Sequence, residues 1–198
     1  NSIPTVANTM FWPCADQIIT HRSLDYVNVY RQHDVVPAAA ASPAAEAAVK
    51  RIVDHAHFLT SEPAEAELLL DFLAYVYQNP GKRVRWAILL FGIQGNGKSF
   101  WMAMMKGLLG QNAGEVAGTT VAHQFTGWTV NKLFIAIEEI RVPSESKYAV
   151  MDKLKPFISN SAVNIEKKGQ DDRVVPNFAS YMLFTNHDDA LPLDDDDS

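Results

Sequence analysis

The stretch Trp86-Ala-Ile-Leu-Leu-Phe-Gly-Ile-Gln-Gly-Asn-Gly-Lys-Ser99 decides how this chain is read. Trp86 to Phe91 is a short apolar run, the pattern of a strand buried on both faces. Gly92-x-x-x-x-Gly97-Lys98-Ser99 follows it and matches the phosphate-binding P-loop in full. Gly92, Gly95 and Gly97 let successive N–H groups turn inward around phosphate oxygens, in conformations a side chain would forbid. Lys98 offers a cation to the β- and γ-phosphates, and Ser99 a hydroxyl to Mg2+. Phe100 to Leu109 then predicts a helix with Trp101, Met104, Met105 and Leu108 inward, its positive end aimed at the same phosphates. The expectation is a nucleoside triphosphate site built from Gly92, Gln94, Gly95, Asn96, Gly97, Lys98, Ser99 and Phe100.

Downstream, Gly110, Gly114 and Gly118 mark a glycine-rich connection, and then comes Lys132-Leu-Phe-Ile-Ala-Ile-Glu-Glu-Ile. This predicts a second buried strand that delivers Glu138 and Glu139 at its carboxyl end, where an open α/β sheet places its ligands. Alternation sends the two carboxylates in different directions. One can complete a Mg2+ shell with Ser99, Glu138 being the candidate, while the other polarises an attacking water. Lys147 to Asn160 predicts a helix with Val150, Leu154 and Phe157 inward. Val163 to Val175 reads as two short strands around a Gly-Gln-Asp-Asp turn, a hairpin signal. Lys167, Lys168 and Arg173 on it suit non-specific gripping of a phosphate backbone, or an ordinary solvated hairpin. Ala179 to Thr185 is a third apolar strand ending at Asn186, whose amide either reaches the γ-phosphate or simply ends the strand.

Upstream, residues 1 to 36 read as an irregular lead-in with one or two short strands, for example Tyr26 to Tyr30. Pro37 to Ser42 is an alanine-rich linker. Ser42 caps a helix with Pro43 at its first position, and Val49, Ile52, Val53, Ala56 and Leu59 follow at helical spacing. A second helix starts near Ser61 to Pro63, carries the stripe Leu69, Phe72, Leu73 and Val76, and stops at Asn79-Pro80-Gly81. His55 and His57 fall on different faces of the first helix, which suits solvated or hydrogen-bonded histidines better than a metal site. Lys82, Arg83 and Arg85 form a basic step into the P-loop strand, which suits a solvated surface or, as the alternative, contact with nucleic acid.

Composition bounds the rest. The chain has 198 residues and 47% hydrophobic content, enough to fill a core. No apolar run approaches the length of a membrane span, and no signal-peptide pattern opens it. Cys14 is the only cysteine, which excludes an internal disulfide and a cysteine-based zinc site and points to a reducing, cytoplasmic setting. The formal charge of -6 is skewed by six aspartates after position 187, and no Lys or Arg follows Arg173. Overall acidity therefore does not argue against nucleic acid. Both ends read as cut from a longer polypeptide.

The order of P-loop, Glu-Glu strand, Lys-Lys-Gly hairpin and Asn-terminated strand resembles the superfamily-three helicases, AAA+-type motors of small DNA viruses, phages and plasmids. Gln78-Asn-Pro-Gly-Lys, Asp152-Lys-Leu-Lys-Pro and Thr185-Asn-His-Asp-Asp-Ala-Leu-Pro-Leu-Asp are similar to the helicase part of phage primase–helicases. The resemblance covers about residues 60 to 198. It implies an α/β P-loop NTPase core with a parallel sheet flanked by helices over residues 82–198. A small helical subdomain (43–81) and a lead-in (1–42) would precede it.

It further implies Lys98 and Ser99 as the Walker A pair, Glu138 and Glu139 as the Walker B pair and Asn186 as a polar sensor. Lys167 and Lys168 would track single-stranded DNA. ATP with Mg2+ would power unwinding by a homo-hexameric ring in the host cytoplasm during phage replication. The arginine that such rings lend from a neighbour is expected beyond Ser198. Rival readings are an AAA+ helicase loader or remodelling ATPase, and a non-catalytic nucleotide-binding module; a small-molecule kinase lacks a lid-like arginine cluster here.

Overall fold

A computed structural model describes residues 6–33, 35–122, 126–138, 147–166 and 172–186. Its centre is a four-stranded parallel sheet in the order β4 (Ala87–Phe91), β9 (Ser180–Thr185), β6 (Phe134–Glu138), β5 (Ala113–Ala117). Ala87 to Phe91 pair in step with Tyr181 to Thr185, and Phe134 to Ile137 with Ser180 to Leu183. The carboxyl ends at Phe91, Thr185 and Glu138 therefore lie along one edge of the sheet. Parallel neighbours need crossovers, supplied here by α3 (Ser99–Leu109) and α5 (Lys147–Ser159) among others.

The two central strands are apolar throughout because both their faces are covered. Phe134, Ala136, Met182 and Phe184 pack with Trp101, Met102, Met105 and Leu109 of α3 on one side. Ile135, Ile137, Tyr181 and Leu183 pack with Val150, Leu154 and Phe157 of α5 on the other. The inward residues expected for α5 are thus the observed ones. Leu154 is fully buried, and truncating such a side chain to alanine typically costs about 2–5 kcal/mol.

The strand that leads into the glycine loop differs from its expectation. β4 stands at the end of the sheet, with Phe91 53% and the adjoining Trp86 45% exposed. It is an edge strand whose two faces are only partly covered, Ile88 and Leu90 packing with one cluster and Ala87 and Leu89 with the other; a short apolar run does not record how fully each face is covered. The glycine-rich connection also conceals a strand. Gly114, Glu115 and a single Val116 give no apolar run, yet Ala113 to Ala117 pair with Phe134 to Glu138. Within α3 the fully covered side chains are Trp101, Met102, Met105 and Leu109, one residue out of phase with the predicted Met104 and Leu108.

Helices α1 (Pro43–Leu59) and α2 (Pro63–Gln78) form as the sequence suggests. The Ser42 side chain accepts from the Ala45 N–H at 3.2 Å, and Glu62 and Glu65 form a reciprocal capping box. Leu69, Phe72, Leu73 and Val76 of α2 are buried together with Ala56 of α1, in the same cluster as α3 and the sheet. Val49 is 59% exposed and does not belong to the inward face. The lead-in carries a three-stranded sheet of β1 (Asn8–Met10), β3 (Leu24–Asn28) and β2 (Ile18–His21). Arg22 and Ser23, both at positive φ, close the β2–β3 turn. The strands β7 (Ala162–Ile165) and β8 (Arg173–Pro176) pair antiparallel, as the hairpin signal predicts.

Arg83 is not merely solvated. Its guanidinium donates to the Ile158 and Ser159 carbonyl oxygens, each at 2.6 Å, and closes the C-terminal end of α5. Among the described residues, no helix is long and apolar enough to cross a membrane.

Candidate functional site

The loop between β4 and α3 folds as its glycines require. Gly95 and Gly97 take φ of 86° and 87°, a region that favours glycine. Gly97 is further constrained by space, since a Cβ there would lie 2.7 Å from His55 Cε1. Lys98 then starts the helical turn, and Ser99 opens α3 with its side chain exposed.

Lys98 is 7% exposed, and its ammonium sits within its own loop. It donates to the carbonyl oxygens of Gly92 (2.6 Å) and Ile93 (2.8 Å) and to Asn96 Oδ1 (3.0 Å). Burial holds its pKa below the ordinary lysine value. The cation therefore fills the centre of the loop, held by neutral dipoles that an anion could replace.

A cavity of about 360 Å3 opens at the carboxyl edge of the sheet. It is lined by Gln94, Gly95, Asn96, Gly97, Lys98 and Ser99 from the loop, by Glu138 from β6, and by Phe184, Thr185 and Asn186 from β9. Three sequence-predicted groups some 40 to 90 positions apart are thus brought to one place by strand order. β9 lies between β4 and β6, so Asn186 arrives between the loop and Glu138. The Thr185 carbonyl accepts from the Gly92 N–H at 3.2 Å, fixing the loop's start to the end of β9. The Ser99 hydroxyl and the Glu138 carboxylate are hard oxygen donors on one cavity, a donor set that fits Mg2+.

The other predicted residues fall elsewhere. Glu139, Lys167 and Lys168 lie outside the described residues. Arg173 begins β8 and lines a separate cleft of about 410 Å3 with His21, Arg22, Tyr26 and Asn131. Phe100 does not line the Lys98 cavity but a neighbouring one, facing α1.

Sequence reading missed Thr185 and Phe184 as lining residues, and above all His55. The pairing of Thr with Asn at the end of an apolar strand was a usable signal for Thr185. Nothing local marks His55, whose Nε2 lies 3.2 Å from the Gly97 carbonyl oxygen across 42 positions.

Residues 90–198 match a family described as a family of unknown function, DUF5906. Over 133 residues the chain is 25% identical to the DNA primase-polymerase of Nitratiruptor phage NrS-1, a match covering 66% of this chain and 18% of that protein. Two apo structures of the NrS-1 C-terminal region superpose with TM-scores of 0.83 and 0.79, each at 20% identity and covering 98% of this chain and 46% of that one. At that identity the structural likeness speaks for the fold. The chain spans under half the length of these relatives.

Proposed function

This chain belongs to the family of unknown function DUF5906, and we propose that it is an ATP-hydrolysing P-loop NTPase of phage-type DNA replication, acting as a superfamily-three-like helicase. One observation carries the reading: Lys98, Ser99, Glu138 and Asn186 line a single cavity at the carboxyl edge of a parallel sheet. That is the position where open α/β sheets bind ligands. The similarity to a phage DNA primase-polymerase supports the setting in DNA replication.

In this reading the loop N–H groups and the start of α3 cradle the triphosphate, and Lys98 exchanges its carbonyl partners for β- and γ-phosphate oxygens. Ser99 and Glu138 would hold Mg2+, which would neutralise charge spread over the phosphates. A carboxylate, Glu138 or its sequence neighbour Glu139, orients the attacking water, and the Asn186 amide donates toward the γ-phosphate. Movement on single-stranded DNA then follows from turnover in a ring of subunits, with Lys167, Lys168 and Arg173 gripping the phosphate backbone.

The test is ATP hydrolysis with and without single-stranded DNA, together with strand displacement on a forked duplex, by the full-length protein. Turnover stimulated by DNA, and abolished in Lys98→Ala and Glu138→Gln, is expected. Turnover indifferent to DNA, with no displacement, would sink the helicase assignment and leave a remodelling ATPase.

A further inference from the structure

Beside the Lys98 cavity, and sharing Gly97 with it, lies a second cavity of about 460 Å3 between α1 and the start of α3. Ala48, Arg51, Ile52, His55, Gly97 and Phe100 line it. Resting on the nucleotide reading above, we propose that this cavity receives the base of the bound nucleoside triphosphate, so that α1 forms part of the nucleotide site.

Four observations carry the assignment. First, the two cavities meet at Gly97, and Phe100 directly follows Ser99, so a ligand with phosphates on the loop can extend one end into the second cavity. Second, His55 and Phe100 give the wall two aromatic rings, with the buried Trp101 behind the histidine. The His55 ring stacks on Trp101 (centroids 5.5 Å apart, 16° between planes) and meets Phe100 edge-on (5.5 Å, 88°). Third, Phe100 lines the cavity and is 40% exposed, which leaves ring surface uncovered where a flat heterocycle can stack. Fourth, the exposed Arg51 also lines the cavity, one turn before His55, and supplies a planar cation for the face of the base or the ribose oxygens.

The hydrogen bond of His55 to the Gly97 carbonyl gives this assignment a mechanical side. One contact joins the wall of the base cavity to the loop that holds the phosphates. Occupancy of the second cavity therefore steadies the loop at Gly97. An inorganic triphosphate, lacking a base, gains none of this.

The test compares Mg·ATP with magnesium tripolyphosphate by isothermal titration, using the whole chain and the variants Ala48→Trp, Phe100→Ala and Lys98→Ala. Ala48→Trp fills the second cavity from α1, at a position outside the phosphate loop, and a circular dichroism melt checks that each variant folds. The wild type should bind ATP about tenfold more tightly than tripolyphosphate, the gain expected of one base stacked on aromatic rings. Ala48→Trp should remove that difference without weakening tripolyphosphate binding, and Phe100→Ala should reduce it. ATP binding no tighter than tripolyphosphate, or undiminished in folded Ala48→Trp, overturns the base site while the phosphate site stands. Failure of tripolyphosphate itself to bind, or its indifference to Lys98→Ala, overturns the phosphate reading and this assignment with it.

Discussion

Lys98 Nζ donates to the Gly92 carbonyl oxygen at 2.6 Å, so the loop's cation is bound to the backbone of the loop's own first residue. The arrangement gives the lysine three neutral acceptors in a site that burial makes unfavourable for charge. Lys98→Met should therefore change stability by no more than about 1 kcal/mol, because lost hydrogen bonds and relieved desolvation oppose each other. The same variant should lose the thermal stabilisation that saturating Mg·ATP gives the wild type. A melting comparison with and without nucleotide measures both effects.

The lowered pKa of Lys98 has a direction that can be read in solution. A lysine whose folded pKa is depressed costs stability while it is charged, and that cost fades as pH rises through the folded value. Bound phosphate favours the ammonium and pulls the pKa back up. Between the two values ATP binding takes up a proton, and affinity falls as pH rises. Titration calorimetry at alkaline pH in two buffers of different ionisation heat should show this uptake. Identical heats in both buffers would contradict it.

Gly97 and His55 should couple. At φ 87° any Cβ is strained, and here it would also lie 2.7 Å from His55 Cε1. Gly97→Ala should cost about 1–3 kcal/mol in urea unfolding. Adding His55→Ala removes the collision but not the backbone strain. The double variant should then be less destabilised than the sum of the singles, whereas strict additivity would mean that the two residues do not collide.

Arg83 joins the segment entering β4 to the last turn of α5 through two carbonyl oxygens. Arg83→Ala should cost about 1.5–3 kcal/mol, the range for hydrogen bonds made by a charged group. Arg83→Lys should recover less than half of that, since an ammonium cannot reproduce the two-pronged geometry. Denaturant midpoints of the three proteins decide it.

The sequence made the loop legible because its chemistry is local: glycines at fixed offsets, then Lys98 and Ser99, within eight residues. β6 and β9 were legible because strands covered on both faces must be apolar throughout, and the observed burial follows that run. What stayed hidden depends on contacts distant in the chain. The exposure of Phe91 and Trp86 depends on strand order, which an apolar run does not encode. β5 is held by pairing with β6 rather than by its own Gly-Glu composition. Arg83 and His55 find backbone partners 75 and 42 positions away. A pair of that kind leaves no periodicity to read.

The most direct test of the central claim is equilibrium binding of Mg·ATP to the wild type and to Lys98→Ala, each verified as folded. The predicted result is saturable one-to-one binding that weakens by at least about 100-fold in the variant, roughly the loss of one buried charge-assisted contact of 2.7 kcal/mol. Equal affinity in the two proteins would mean that the Gly92–Ser99 loop is not where nucleotide binds.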